Sequence, residues 1–553
     1  MRFSFTTGRV PLSAGDWLIV TCIGLLLVIG GYWLVTVVST QFTSEIPARG
    51  GSFTEGIVGT PRFINPVLAI SDADRDITEL VYAGLMREIR GTLVPDVAEG
   101  YTLSEDRKTY TFTIREGATF HDGTPVTAED IAFTIDLIAD PAVKSPKRAN
   151  WEGVLVEAVD LRTIAFTLKE PYAPFVENAR IGILPKHLWK EVRTEELPFS
   201  KLNIEPVGAG PYRVSHLALT SAGIPSALDL VAFTDAAHVP YITRLSFQFF
   251  GDTDSLEAAL SKNSALAAHS VSPEKASGQA VHEAVLGRVF GVFFNQNQNN
   301  IFTSKPVRAA LDAALDKELI VSTLIGGYGS PAAGPLPRES VADDSEDTVS
   351  LEEATAILEK DGWEKGEDGF WAKTVKKSTT RLAFTLVTSN APELKKAAEL
   401  VEGQWRAFGV DVTVKYFDQS DLQQDVIRPR KYDALLFGEV VGRDADLFAF
   451  WDSSQRNDPG LNIALYTNTS VDKLLREARS TEDPEERHDL TRKAADIISS
   501  EAAAVFLYSP HFVYLTHPSV NGIELGTIIT PADRFSSVTE WYLETERVWP
   551  FFK

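Results

Sequence analysis

The sequence predicts an α/β body carried behind a single membrane-spanning helix. Three observations lead there. The run 17–38 (WLIVTCIGLLLVIGGYWLVTVV) holds no charge, and about 20 apolar residues suffice to cross a bilayer core. Behind it, strand-like and helix-like stretches alternate with no internal repeat, the pattern of mixed α/β domains. The length of 553 residues, 44% hydrophobic and 23% charged, suits a globular body of more than one domain.

The anchor comes first. A cleaved signal peptide has an apolar stretch of about 7–15 residues and a small-residue cleavage site. Run 17–38 is longer, and VVSTQFTS is a poor site. Arg2 and Arg9 precede the run with Asp16 as the opposing acid, so residues 1–16 are predicted to be cytoplasmic. Residues 39–52 read as a polar linker, and the remainder as extracellular or periplasmic. Cys22 is the sole cysteine and lies inside the run, which excludes an intrachain disulfide, a cysteine zinc site and a lipid-modified cleavage motif. With 76 acidic against 53 basic residues, the net charge of -23 argues against a nucleic-acid partner.

Along the body, YTFTIREG (110–117) alternates as a strand. TAEDIAFTIDLIAD (127–140) is a helix whose Thr127 and Asp130 form a capping box. TIAFTLKEP (163–171), the stretch after GAGPYRV (208–214), and TRLSFQFFGD (243–252) are strands, and SLEAALSKN (255–263) is a short helix. KPVRAALDAALDKELIVSTLI (305–325) reads as one amphipathic helix, and GGYGSPAAGPLP (326–337) as a surface loop. SLEEATAILEKDGW (350–363) is a helix opened by Ser350 and Glu353. RLAFTLVTS (381–389), a helix through Trp405, and VDVTVKYF (410–417) form a βαβ unit. YDALLFGEVV (432–441) is a buried strand, VDKLLREARS (471–480) and the segment from Asp483-Pro484 are helices, and AVFLYSPHFVYL (504–515) is a strand.

Several of these stretches together resemble the extracellular solute-binding proteins, family 5, of peptide and nickel ABC importers. The most specific segment is 103–133, with Arg115, Gly117, Phe120, His121-Asp122-Gly123 and Thr127-Ala128-Glu129-Asp130 on the family pattern. FINPVLA (63–69), ILPKHLW (183–189), VGAGPYRV (207–214), the segment 293–321, DGW…DGFW (361–371), WRAFGVDVTV (405–414) and GRDADLFAFW (442–451) come in the family's order. The resemblance implies a two-lobed, periplasmic-binding-protein-like clamp of type II with an extra domain. The first lobe would be discontinuous, 50–82 with 207–290 and 503–553. The extra domain would be 83–206 and the second lobe 291–502.

It also implies where a ligand sits. In peptide-binding relatives a carboxylate after the strand near 432–441 pairs with the peptide's amino group. An ungapped alignment puts Val441 there, and a two-residue insertion puts Glu439 there. Arg443, Asp444 and Asp446 belong to the acidic turn after that strand, with Ala445 where the family has proline. Phe450 and Trp451 would pack on ligand side chains, Ser71 and Asp72 would lie beside an extended peptide, and Asn295 at the entry to the second lobe. Solvated loop charges and core aromatics are the competing readings of these same residues. His121-Asp122 reads as a turn rather than a catalytic pair. His511 and His517 lie too far apart for metal ligation. No nucleophile elbow or phosphate-binding loop occurs.

The functional expectation is a monomeric, membrane-anchored binding protein that hands oligopeptides to an ABC permease, without catalysis, cofactor or metal. The alternatives are a surface sensor or chaperone using the same clamp, and a non-peptide solute such as a nickel chelate, haem or oligosaccharide.

Overall fold

The computed structural model describes residues 13–275, 278–338 and 350–549, without the side chains of 35–42; Arg2 and Arg9 lie outside them. A helix spans Ala14–Phe42, longer than the apolar run at both ends. The segment expected to be a linker is structured. Ser44–Ala48 forms a strand antiparallel to Glu544–Val548, and Gly50–Val58 opens the main sheet.

That sheet has 12 strands. At one end, Tyr212–Leu219, Pro225–Ala232 and Ile242–Phe250 form an antiparallel set, joined in parallel to Gly50–Val58. At the other end, Asp411–Phe417, Ala383–Ser389 and Ala434–Val440 lie side by side, the first two parallel as a βαβ unit requires. The two ends meet through Ala504–Thr516. Its later half pairs with Ala280–Val285, and its earlier half with Arg288–Phe294. Two chain crossings, near 285–288 and 508–511, therefore connect the two lobes, a geometry suited to hinge closure.

Gly287 sits at the first crossing because no side chain fits. A Cβ there would lie 2.6 Å from the Val441 carbonyl oxygen and 2.4 Å from Ile529 Cδ1. The second crossing carries a correction. The Gly/Pro-rich segment expected to be a surface loop contributes Gly329–Pro331, which pairs with Tyr508–Pro510, and Ser330 is buried. The helix expected over 305–325 is two helices, Lys305–Ala313 and Lys317–Ile325, because Asp316 caps the second through its bond from the Leu319 N–H.

Three cores matter for the cleft. The first unites strands of the 50–58 end with residues 83–189, so the segment expected to be an extra domain packs continuously onto the first lobe through Tyr82, Phe112, Phe166 and Trp189. The other two lie on opposite faces of the second-lobe sheet, one around Trp405 and Tyr508, the other around Trp451 and Phe506. Elements with clear periodicity form as the sequence predicts. Thr127 and Asp130 close their capping box, and Thr109–Ile114, Ala128–Ala139, Thr163–Thr167 and Ala383–Ser389 match their stretches.

Candidate ligand-binding cleft

The segments 285–288 and 527–533 form a common floor between the lobes, and three cavities open onto it. The largest, about 680 Å³, is walled by Asp72 and Phe512 of the first lobe and by Tyr328 and Glu393 of the second. A second, about 590 Å³, lies against Val441 and Gly442. The third, about 270 Å³, lies against Arg180 and Asp533, and Arg443 borders both of the smaller two.

Arg443 is a bridge between the lobes. It leaves the second-lobe turn and meets Glu88 at 2.5 Å and Asp533 at 2.5 Å. Arg180 reaches the same two acids at 3.7 and 3.5 Å. Burial alone would raise the Asp533 carboxyl, but Arg443 and Arg180 overcome it and hold the group below its usual range. The neighbouring acids are also engaged. Asp444 accepts from Arg487 at 2.9 Å, and Asp446 pairs with Arg479 at 3.0 Å and accepts from Tyr172 Oη at 3.4 Å. The guanidinium of Arg479 lies 4.6 Å from the Tyr172 ring centre, a further contact between the second lobe and residues 83–206. Ala445 has φ 53°, a left-handed conformation that proline's fixed φ forbids, so this chain's departure from the family's turn has a backbone reason.

The other residues singled out in the sequence divide between the cleft and the core. Ser71 caps the helix Asp72–Val81 by accepting from the Asp74 N–H at 3.1 Å, while Asp72 faces the largest cavity. Asn295 is buried, donates to the Arg430 carbonyl at 2.8 Å and orders its own loop. Trp451 is fully buried among Phe293, Tyr466 and Phe506, with Phe450 half-buried beside that core. Glu439 lies opposite Val289 in the sheet, 2% exposed, and borders none of these cavities. Its Oε2 accepts from Trp451 Nε1 at 3.2 Å, its Oε1 has no partner, and burial pushes its carboxyl up to about 8. Residue 441, the ungapped alternative, does border a cavity.

One group was missed. Arg288 stands where the first crossing enters the second lobe and borders the largest cavity. Its Nε is buried without a partner, and it has no ion pair among the described residues. The only sequence signal was a lone charge opening an apolar strand, RVFGVFF. Across the cavity, Glu393 accepts from Tyr508 Oη at 2.9 Å, and the Tyr508 ring stacks on Phe290 at 4.8 Å. The cleft thus offers an unpaired cation at its floor and carboxylates on both walls.

Residues 92–459 match the model of the bacterial extracellular solute-binding proteins, family 5 Middle, over more than half of the chain. The chain belongs to family 5 of the solute-binding proteins. This binding protein is 26% identical over 497 residues to the oligopeptide-binding protein AppA of Bacillus subtilis, covering 86% of this chain and 89% of that one. The structure of AppA with a nonapeptide superposes with a TM-score of 0.65 at 25% identity, over 90% of this chain and 100% of AppA. NikZ of Campylobacter jejuni with Ni(L-His) gives a TM-score of 0.65 at 25% identity, over 89% and 99%. The fold is therefore the two-lobed clamp, and the protein binds solute rather than catalysing a reaction. His121 agrees with that: its Nδ1 accepts from the Gly208 N–H, its Nε2 lies 3.0 Å from the Gly210 carbonyl, and burial pushes it down to about 4. It orders a turn and stays neutral at physiological pH.

Proposed function

We propose that this protein captures peptides with free termini in the inter-lobe cleft and delivers them to an ABC permease from a bilayer anchored by Ala14–Phe42. The observation that carries the ligand class is unpaired Arg288 facing Asp72 and Glu393 across one cavity. A guanidinium pairs a carboxylate in fork geometry, and the acids on the two walls, Asp72 beside Arg75 and Glu393 beside Tyr508, suit an ammonium. Closure excludes water and strengthens both contacts. Supporting the division into lobes, the two crossings at 285–288 and 508–511 separate the cores. Arg443, ion-paired with Glu88 and Asp533 across the lobes, acts as a latch between them rather than as a ligand group.

Titration calorimetry of the full chain in detergent against a peptide pool tests the reading. Binding of free peptides is expected. Arg288→Met should weaken peptides with a free C-terminal carboxylate by about 10–100-fold, the scale of one charge-assisted contact, and leave C-amidated peptides unchanged. Equal effects on both classes would remove Arg288 from ligand recognition. A nickel chelate is the second reading, favoured by His269 and His511 on the wall of the same cavity. A heat of binding with nickel–histidine and none with peptides would establish it.

A further inference from the structure

The second lobe meets residues 83–206 and the floor at three places, and none of the residues involved belongs to the crossings at 285–288 and 508–511. The turn after the strand Ala434–Val440 sends Arg443 to Glu88 and Asp533, with Glu177 3.9 Å away. The last turn of the helix Thr469–Ser480 sets Arg479 over the Tyr172 ring, and Tyr172 Oη donates to Asp446, the acid that Arg479 also holds. The loop after that helix presents Glu482 to Arg107 at 2.8 Å, and Arg107 also donates to the Ser480 carbonyl at 3.3 Å.

The first-body side of these contacts is built to meet the second lobe. Arg107 stands in the turn between the strands Ala98–Leu103 and Thr109–Ile114, with φ 58°. That conformation favours glycine, yet an arginine holds it and directs its side chain to the other lobe. Tyr172 precedes the helical turn Ala173–Arg180, which carries Glu177, and Glu88 lies in the strand Met86–Ile89. Each contact joins opposite charges, a hydroxyl to a carboxylate, or a cation to a ring face. Every partner belongs to the chain, so forming the contacts needs nothing from a solute. They link the same two bodies, so opening the cleft must break them together.

We propose that these three contacts form a clasp that holds the cleft shut in the absence of solute, with residues 83–206 as its fixed half. The segment that the sequence marks as an extra domain is then the face against which the second lobe closes. The clasp forms alike in the empty and the filled clamp. It therefore cancels from solute affinity wherever both forms are mainly closed, and it slows entry and exit by the same factor, the open fraction. Its parts differ in their response to salt. Arg107 and Glu482 are exposed and are screened within a Debye length of about 3 Å at 1 M salt, whereas Arg443, 14% exposed, is screened less.

The test measures the distance between the two bodies by spin-label spectroscopy, using the full chain in detergent. Labels are placed at the exposed positions Lys190→Cys and Glu399→Cys in a Cys22→Ser background, and native mass spectrometry confirms that the protein carries no bound solute. No solute enters the measurement, so its outcome is independent of which solute the cleft takes. The unaltered clasp should give one short distance at about 50 mM salt. Arg107→Met should lower the closed-to-open ratio by about 2–5-fold, the scale of an exposed pair. Arg443→Met should lower it by about tenfold or more, with Arg180 left to neutralise Glu88 and Asp533. Arg107→Met, Arg443→Met and Arg479→Met together should make a longer distance the major one. If the triple variant does not fold, the double variant Arg107→Met with Arg479→Met at about 1 M salt decides, and a longer distance should gain there over about 50 mM. A long distance in the unaltered protein at low salt overturns the clasp. A short distance unchanged in the triple variant, or in the double variant at high salt, overturns it too and leaves closure to the floor and the crossings.

Discussion

Arg534→Met is expected to destabilise the first lobe by about 3–5 kcal/mol, the cost of stranding buried charges. Arg534 is completely buried and joins two equally buried acids. Its Nη2 lies 2.5 Å from Glu55 and 2.7 Å from Asp76, and its Nη1 donates to Asp76 at 2.8 Å. Tyr514 Oη donates to the other Glu55 oxygen at 2.8 Å, and the Phe535 ring lies 4.0 Å under the guanidinium. These residues come from strand 50–58, helix 72–81, strand 504–516 and the turn at 531–540, so the cluster ties together the segments of a discontinuous lobe. Burial alone would raise the Asp76 carboxyl, and Arg534 overcomes it to hold Asp76 at about 2. A depressed acid contributes stability above its unfolded value of 3.8 and loses it as pH falls through about 2. Without the guanidinium, burial, the largest influence on both acids, is opposed only by His269 at 3.6 Å from Asp76 and by the Tyr514 hydroxyl on Glu55, and both acids shift toward the neutral form. The variant should therefore become more stable as pH is lowered from 8 toward 5, where the native protein's Asp76 contribution is flat. Urea unfolding across that range measures it. A triple variant that also carries Glu55→Gln and Asp76→Asn should recover most of the loss, because no buried charge is left alone. A loss that is independent of pH and not recovered would mean that packing around Arg534, not its charge, holds the cluster.

The contrast between Arg534 and Arg288 shows where the sequence was readable and where it was not. Local rules are written in neighbouring residues, so the alternation of Thr109–Ile114 and the capping box of Thr127 and Asp130 could be read directly. The family motifs extended that reading to a two-lobed clamp. The cleft was less legible because its groups are set by register between distant segments. Arg288 faces the cavity only because the chain crosses between lobes one residue earlier, at Gly287. Glu439 points toward Trp451 because pairing with Val289 sets which face it takes, and a slip of one residue would reverse it. The segment 326–337 looked like a loop because glycine and proline mark turns. Three of its residues nevertheless add to the crossing strand, and nothing local specifies that edge. The acids near 444–446 were singled out as charges, but their guanidinium partners, Arg479 and Arg487, lie on helices further along the chain.

Glu439→Gln is expected to stabilise the second lobe by about 3 kcal/mol at pH 7, the accumulated cost of a raised carboxyl. The group sits at about 8 in the folded protein against 4.5 for an ordinary glutamate. Between those values the folded state holds a proton that the unfolded state has released. Stability from this group is therefore complete below pH 4.5 and declines as pH rises toward 8, by about 1.4 kcal/mol per unit. Glutamine has the size of the neutral acid and keeps an oxygen for the Trp451 Nε1–H, yet it has no proton to retain. Its amide leaves a donor where the protonated acid would leave its hydroxyl, since Oε1 has no partner, so hydrogen bonding changes little between the two. The two proteins should unfold at nearly the same urea midpoint at pH 4 and separate steadily up to pH 8, with the glutamine variant the more stable. Equal midpoints at every pH would show that the carboxyl titrates normally and is hydrated. The same substitution also weighs the alternative role of this acid. If Glu439 is a core group, free-amine and N-acetylated peptides should keep their affinities in the variant. A selective loss for free-amine peptides would mean that closure turns the carboxyl into the cleft.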